Sequence, residues 1–357
     1  MATDTTGMTR VNHEKLARFV SASFEKLGVP KSDAEIAANV LVQADLRGVD
    51  THGVIRFQPR AWYVKWLKEG SMTAKPNFRI VSEKTSTALL DADHGMGMVA
   101  GHRAMEIAIR KAKDSGVGIV TVRNSRHYGM SAYYAMLALP HDMIGIAMTN
   151  ASRQVVPTFG RDARYGTNPI CFAVPAKDQR PFVLDMATNT AAAGKLEVAV
   201  RLGKAIPAGW ALNEKAEPTT DPRVAQQARR LLPLGGNRES GSHKGYGLGI
   251  VVEILCGVLT GTITALNPNQ EPRGHFFGAI NPNAFRPVAE FKADMDRLIG
   301  ELKSTPPIEG ENRVYVAGEI EFETAEERSE QGIPLHSSVL KGLREVGELV
   351  GVPYDLA

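Results

Sequence analysis

Two short apolar runs, VGIVTV at 117–122 and MIGIAM at 143–148, constrain this chain more than any other feature. Each is strand-length and apolar on both faces, the pattern of a strand covered on both sides of a sheet. Helix-length segments at 99–113 and 132–139 alternate with them, and weaker strand patterns lie at 78–81, 86–90, 171–174 and 182–184. Strands alternating with helices predict an α/β sheet protein.

Two helices are expected upstream. Asn12 is placed to cap the first, whose apolar stripe is Leu16, Phe19, Val20 and Phe24, and Gly28 and Pro30 end it. A capping box, Ser32-x-x-Glu35, opens the second. A third helix is expected at 55–67, stopping near Gly70. Downstream, a polar, Pro/Gly-dotted region at 204–242 is too long for an ordinary connection. It is followed by an apolar helix from 246 that ends near Gly261 and a Pro/Asn/Gly-rich stretch at 267–287. An amphipathic helix around 288–302, a strand at 313–320 and a closing helix at 337–350 complete the chain. The apolar helix carries Glu253 and runs into a Gly/Thr-rich piece, so it reads as a core helix and not a membrane span.

Composition narrows the function. Lys and Arg total 42 against 39 Asp and Glu, and no basic block forms a nucleic-acid footprint. Cys171 and Cys256 sit in separate apolar runs, without disulfide-scaffold or zinc-ligand spacing, which points to a reducing compartment and no metal. The first residues show no apolar secretory core, so a cytoplasmic protein is expected, with no membrane partner. The 357 residues suffice for two or three domains.

Three segments carry candidate chemistry. In DTHGVIR, 50–56, His52 and Arg56 stand four apart and would share one face of a helix capped by Thr51. A guanidinium grips a carboxylate through two parallel hydrogen bonds, and an imidazole one turn away exchanges a proton near neutral pH. The alternative is a surface pair at a helix start. In RNSRHYG, 123–129, Asn124, Ser125 and His127 follow a buried strand, where α/β proteins place ligands; a polar turn with a capping Ser is the competing reading. In GSHKGYG, 241–247, Lys244 lies among glycines at a helix start, suited to a phosphate; taken alone, the segment reads more readily as a flexible loop with one exposed Lys. HGMGMVAG, 94–101, is one residue too long for the dinucleotide fingerprint and lacks its acidic partner, so it reads as a turn.

Taken together, DTHGVIR, RNSRHYG, YGTNPICFAVPA, LDMATNTAAAGK, IPAGWALN, PTTDP, LLPLGG, HKGYGLGIVVEILCGVLTG and AGEIE run in the order found in one family. The chain resembles the malate/L-lactate dehydrogenase-like family over about residues 10–350. The resemblance implies a mixed central sheet with flanking helices, unlike the Rossmann fold, plus a smaller helical domain. Its division would be 1–74 and 286–357 for the smaller part and 75–285 for the cofactor-binding part. It implies a homodimer that transfers a hydride between NAD, or NADP, and a small 2-hydroxy or 2-oxo acid. By motif, His52, His127 and Arg56 would be catalytic. Asp185, Met186, Ala187, Lys244, Gly318 and Glu319 would meet the cofactor. His52 is favoured as the acid/base, with His127 binding the substrate oxygen. Thr51, Asn189 and Ala317 depart from the family's usual Ser, Ser/Thr and Pro, leaving cofactor preference and substrate open. A reductase of cyclic imino or diketo sugar acids is the alternative within the class, and a non-catalytic nucleotide or acid sensor the alternative outside it.

Overall fold

The two apolar runs stand on either side of the central strand of a seven-stranded sheet in the computed structural model, which describes residues 7–267 and 272–356. In chain order the strands are β1 (Met8–Val11), β2 (Arg79–Glu83), β3 (Thr87–Asp91), β4 (Val117–Ser125), β5 (Ile144–Thr149), β6 (Ile170–Val174) and β7 (Phe182–Met186). The two-residue strands β8 (Ala211–Leu212), β9 (Pro218–Thr219) and β10 (Arg230–Leu231) follow, then β11 (Arg273–Ile280) and β12 (Ile333–His336). The helices begin with α1 (His13–Lys26), α2 (Lys31–Leu46), α3 (Trp62–Lys68), α4 (Gly97–Ser115), α5 (Ser131–Met136) and α6 (Ala193–Leu202). They continue with α7 (Pro222–Ala228), α8 (Ser242–Glu253), α9 (Val288–Lys303), α10 (Glu319–Gln331) and α11 (Ser337–Val350).

The large sheet runs β2-β3-β4-β11-β5-β6-β7. Only β3 and β4 are parallel, joined through α4; every other neighbouring pair is antiparallel. A dinucleotide fold of the Rossmann kind needs consecutive parallel strands, so this mixed sheet excludes it. One hydrophobic cluster joins Leu16 and Phe24 of α1, Val40 of α2, Ala104 of α4, Val120 of β4 and Leu343 of α11. The first and last strands, β1 and β12, pair antiparallel, so the chain's end returns to its beginning.

Several expectations need correction. Asn12 does cap α1, accepting the Glu14 and Lys15 N–H groups at 3.0 Å. The Ser32 box does not form: α2 starts two residues earlier, with Pro30 as its cap and no side-chain cap bond. The expected strand at 313–320 is absent. Ala317 accepts an N–H from Val183 on the edge of β7, Gly318 turns at φ +91°, and α10 begins at Glu319. Within 267–287, of which 268–271 lie outside the described residues, the chain forms β11, the central strand. Its glycines and short apolar core, GHFFGA, disguise it; neighbours on both sides supply what propensity does not. The region 204–242 folds around a small three-stranded sheet, β10-β8-β9, with α7 beside it. The apolar helix is α8, prolonged by a π turn at Ile254–Val258. Among the described residues no helix is long and apolar enough to cross a membrane.

Candidate active site

The segment after α2 does not continue as a helix. It makes one 3-10 turn at Asp50–His52, an extended Gly53 and a second 3-10 turn at Val54–Arg56; α3 starts only at Trp62. Pro59 disfavours helical backbone at Gln58, which separates the turns from α3. Asp45, buried near the end of α2, captures the Val54 N–H through Oδ2 at 2.8 Å. Gly53 lies against the same carboxylate: a Cβ there would stand 1.8 Å from Asp45 Oδ1. Arg328 of α10 donates to the Asp45 carbonyl and the Asp50 carboxylate, clamping the turn from the far end of the chain.

This clamped turn presents His52. Thr51 Oγ1 is 2.9 Å from His52 Nδ1, which leaves Nε2 as the ring nitrogen for a ligand. Arg56 does not share a helix face with His52. Its Nε donates to the Thr51 carbonyl at 2.7 Å, and its guanidinium lies 4.4 Å over the Trp62 ring. His127, just past β4, stacks on His52 with ring centres 5.6 Å apart, and Trp62 meets it edge-on at 4.4 Å. The Gly129 N–H donates to His127 Nδ1 at 3.2 Å, and the Tyr63 hydroxyl lies 2.7 Å from the same nitrogen. A backbone N–H can only donate, so Nδ1 is assigned as the acceptor and Nε2 carries the hydrogen. Burial, then the Arg56 charge, lowers the His52 pKa to about 4. Burial, with His52 and then Arg273 and Arg56 nearby, holds His127 well below the ordinary histidine range. Both rings are neutral at pH 7.

Two clefts meet at His52. The first, of about 630 Å³, is walled by Arg56, Trp62, His127, Ser152, Arg229 and Arg273 among others. The second, of about 770 Å³, is walled by Asp185, Met186, Ala187 and Gly318, and also by Arg47, Asn189, Lys195 and Glu321. Thr51, His52, Thr167 and Ala192 belong to both. Asp185 opens onto the second cleft, and Oδ2 accepts the Ala132 N–H at the start of α5, at 2.7 Å. Burial pushes its pKa up to about 6, against that hydrogen bond and the Arg47 charge.

Two of the expected cofactor residues stand off the walls. Glu319 is buried, pairs with Lys303 at 2.5 Å and accepts the Val316 N–H at 3.2 Å; it thereby fixes the turn that carries Gly318 to the cleft. Lys244 is exposed in the first turn of α8. The next residue, Gly245, abuts Leu234, a wall residue of the second cleft. In RNSRHYG, His127 reaches the first cleft and Gly129 the second. Asn124 donates to Asp91 at 3.1 Å, and Ser125 is buried 2.8 Å from His275 Nε2. The glycines of HGMGMVAG serve packing: a Cβ on Gly97 would lie 2.1 Å from the Arg126 carbonyl. Sequence reasoning missed Arg273, because it opens the unrecognised β11, and Arg229, which ends α7 inside the polar region. The cluster AWYVKW carried a signal for Trp62, Tyr63 and Trp66, aromatics at helical spacing beside the DTHGVIR segment. Among the described residues no group of three His, Cys, Asp or Glu side chains is placed to hold a metal ion.

Comparison with known proteins shows the family. A family model described as malate/L-lactate dehydrogenase matches residues 11–344. The chain is 45% identical over 349 residues to a malate dehydrogenase of Pyrococcus horikoshii, covering 96% of each. It is 40% identical to an L-sulfolactate dehydrogenase of Methanocaldococcus jannaschii, covering 93% of this chain and 94% of that one. The crystal structure of malate dehydrogenase from Entamoeba histolytica superimposes with a TM-score of 0.93 at 34% identity, over 98% of this chain and all of that one.

Proposed function

The chain belongs to the malate/L-lactate dehydrogenase family of hydroxy acid oxidoreductases, and from that premise we propose that it oxidises a malate-like 2-hydroxy acid, or reduces the 2-oxo acid, with a nicotinamide cofactor. One observation carries the reading: a cleft rich in arginine and a second cleft meet at a single histidine, His52. Substrate in one and cofactor in the other would bring the reacting carbons together there.

The first cleft suits the acid. Arg56, Arg229 and Arg273 line it against one carboxylate, Glu197, which favours a substrate with a second anionic group. Arg56, anchored at Nε, takes the carboxylate beside the hydroxyl. His127 Nε2–H donates to the substrate oxygen. His52 Nε2 accepts the hydroxyl proton, and Thr51 steadies the ring as it becomes charged.

The second cleft suits the cofactor. Asn189 Oδ1 is buried on its wall without a hydrogen-bond partner among the described residues, an acceptor awaiting a donor. Asp185, Met186, Ala187 and Gly318 would hold the cofactor, Lys244 would reach a phosphate from its helix start, and Glu319 would support Gly318. A bound nicotinamide supplies the hydride acceptor; the chain's residues orient the partners and handle the proton. We assign NAD as the cofactor. Arg47 and Lys195 on the wall are balanced by Asp185 and Glu321, so no surplus of cations calls for an additional phosphate.

The same reading makes the protein a cytoplasmic homodimer. Free, buried Cys171 and Cys256 fit a reducing compartment. Val251, Ile254, Val258 and Leu259 expose apolar side chains along α8 and its π turn, a face for a second copy to cover. Sedimentation should report a dimer that Val258→Asp weakens; a monomeric wild type rejects this.

The deciding experiment follows NADH and NADPH oxidation against oxaloacetate, pyruvate, a 2-oxo sulfonate and a cyclic imino acid. Turnover fastest with NADH and the dianionic oxo acids is expected. Turnover only of the cyclic imine, or none with any substrate despite cofactor binding, overturns the proposal.

A further inference from the structure

Arg47 has no task in the steps just described, yet its position is costly. It ends α2 and is only 4% exposed. Its Nε and Nη2 are buried and have no hydrogen-bond partner among the described residues. The guanidinium lies 4.4 Å over the Phe322 ring, which contributes attraction but accepts no conventional hydrogen bond. A buried guanidinium with unfilled donors destabilises a fold unless something completes it. Arg47 lines the second cleft, together with Val49, Thr51 and His52 of the same clamped segment.

Resting on the cofactor reading above, we propose that Arg47 is a cofactor-binding residue. It donates to an uncharged oxygen on the nicotinamide half, a carboxamide carbonyl or a ribose hydroxyl. Two observations select that half and that charge. Arg47 shares a backbone segment with His52, which stands where the clefts join, so it faces the reacting end and not the end toward Leu234 and Lys244. Asp185 and Glu321 line the same cleft and act electrostatically on Arg47, so the local field already holds two carboxylates. A phosphate there would meet repulsion, whereas a neutral acceptor satisfies the donors without it.

The test measures binding without turnover. Dissociation constants of NADH, of reduced nicotinamide mononucleotide and of ADP are measured by fluorescence or calorimetry for wild type, Arg47→Met and Arg47→Lys. Thermal melts of the ligand-free proteins are run alongside. Arg47→Met should weaken NADH and the mononucleotide about 10-fold or more, the loss of a charged hydrogen bond. ADP binding should stay unchanged. The ligand-free Arg47→Met protein should melt no lower than wild type, because an incompletely paired buried charge has been removed. Arg47→Lys should recover part of the affinity. A thionicotinamide analogue separates the two acceptor oxygens. If the carboxamide is the partner, the analogue binds wild type more weakly than NADH but Arg47→Met equally; if the ribose is the partner, the ratio is the same in both proteins. Unchanged NADH binding, equal losses for ADP and the mononucleotide, or a large drop in the melting temperature would overturn the proposal. If no protein binds any of these ligands, the cofactor reading itself fails, a result distinct from a defect confined to Arg47.

Discussion

His52 and His127 stack as neutral rings, and their surroundings give them different duties. His127 accepts hydrogen bonds at Nδ1, so its Nε2 is a fixed donor. His52 is tied at Nδ1 only to a hydroxyl that can rotate, so its Nε2 is free to take or give a proton. His52→Asn should therefore lower kcat by ~10²–10⁴-fold, while His127→Asn should chiefly raise the substrate KM. A base must be uncharged to act. For hydroxy acid oxidation, kcat/KM should be level near neutrality and fall as pH drops through about 4, where burial and Arg56 have moved the His52 pKa. Loss of that acid limb in His127→Asn but not in His52→Asn would exchange the roles. Arg56→Lys keeps the charge and loses the planar grip. It should depress kcat/KM for the acid substrate, leave the limb near its wild-type position and spare cofactor affinity; equal damage to cofactor binding would make Arg56 a structural residue. The sequence shows these residue types plainly, because DTHGVIR concentrates a histidine and an arginine in seven positions. It misassigns their geometry: the pair is brought together by two 3-10 turns and the Trp62 ring, not by a shared helical face.

At the scale of elements, the site depends on how closely α2 approaches the turn that follows it. Gly53→Ala would drive a methyl into Asp45, whose carboxylate is itself fixed by the Val54 N–H. The turn would have to open, so a melting-temperature drop of several degrees and a loss of kcat are expected, with little change in cofactor affinity. Wild-type activity in Gly53→Ala would show that the clamp has no part in placing His52. Neither Asp45 nor Arg328 is visible in the sequence as part of this clamp: Asp45 reads as one more residue of α2, and Arg328 acts from α10, far along the chain. The same limit explains β11. Strands β4 and β5 declare themselves by unbroken apolar runs, whereas β11 carries Arg273, Gly274 and His275 at its start and is made a strand by the partners on each side. Helices with a clean apolar stripe, such as α1 and α11, are legible almost to the residue because their own periodicity determines the buried face.

Across the whole molecule, that central strand buries a third histidine, and together the three make the fold sensitive to acid. His275 is fully buried between Ser125 and Thr149, and burial followed by the Arg273 charge lowers its pKa to about 3. His52 and His127 are lowered as well. A histidine whose folded pKa lies below its unfolded value of roughly 6.5 takes up a proton more readily in the unfolded chain. Its stabilisation is complete above that value and is lost progressively as pH falls toward the folded pKa. Asp45 and Asp185 act in the opposite sense, because burial raises both and the folded state holds their protons more tightly. Asp185 opens to solvent in the cleft, so its counterweight is the smaller. Near pH 5 the unfolded chain should thus bind at least roughly one proton more than the folded protein, a loss of about 1.4 kcal/mol per pH unit. Urea midpoints should be level from pH 8 to about 6.5 and decline from there toward about 4.5. Gln at position 275 can still donate to Thr149 and accept from Ser125, but it cannot titrate. His275→Gln should therefore flatten the decline while leaving the neutral plateau nearly in place. A wild-type midpoint that holds or rises between those pH values, or a decline of undiminished slope in His275→Gln, would show that the buried histidines do not govern acid stability.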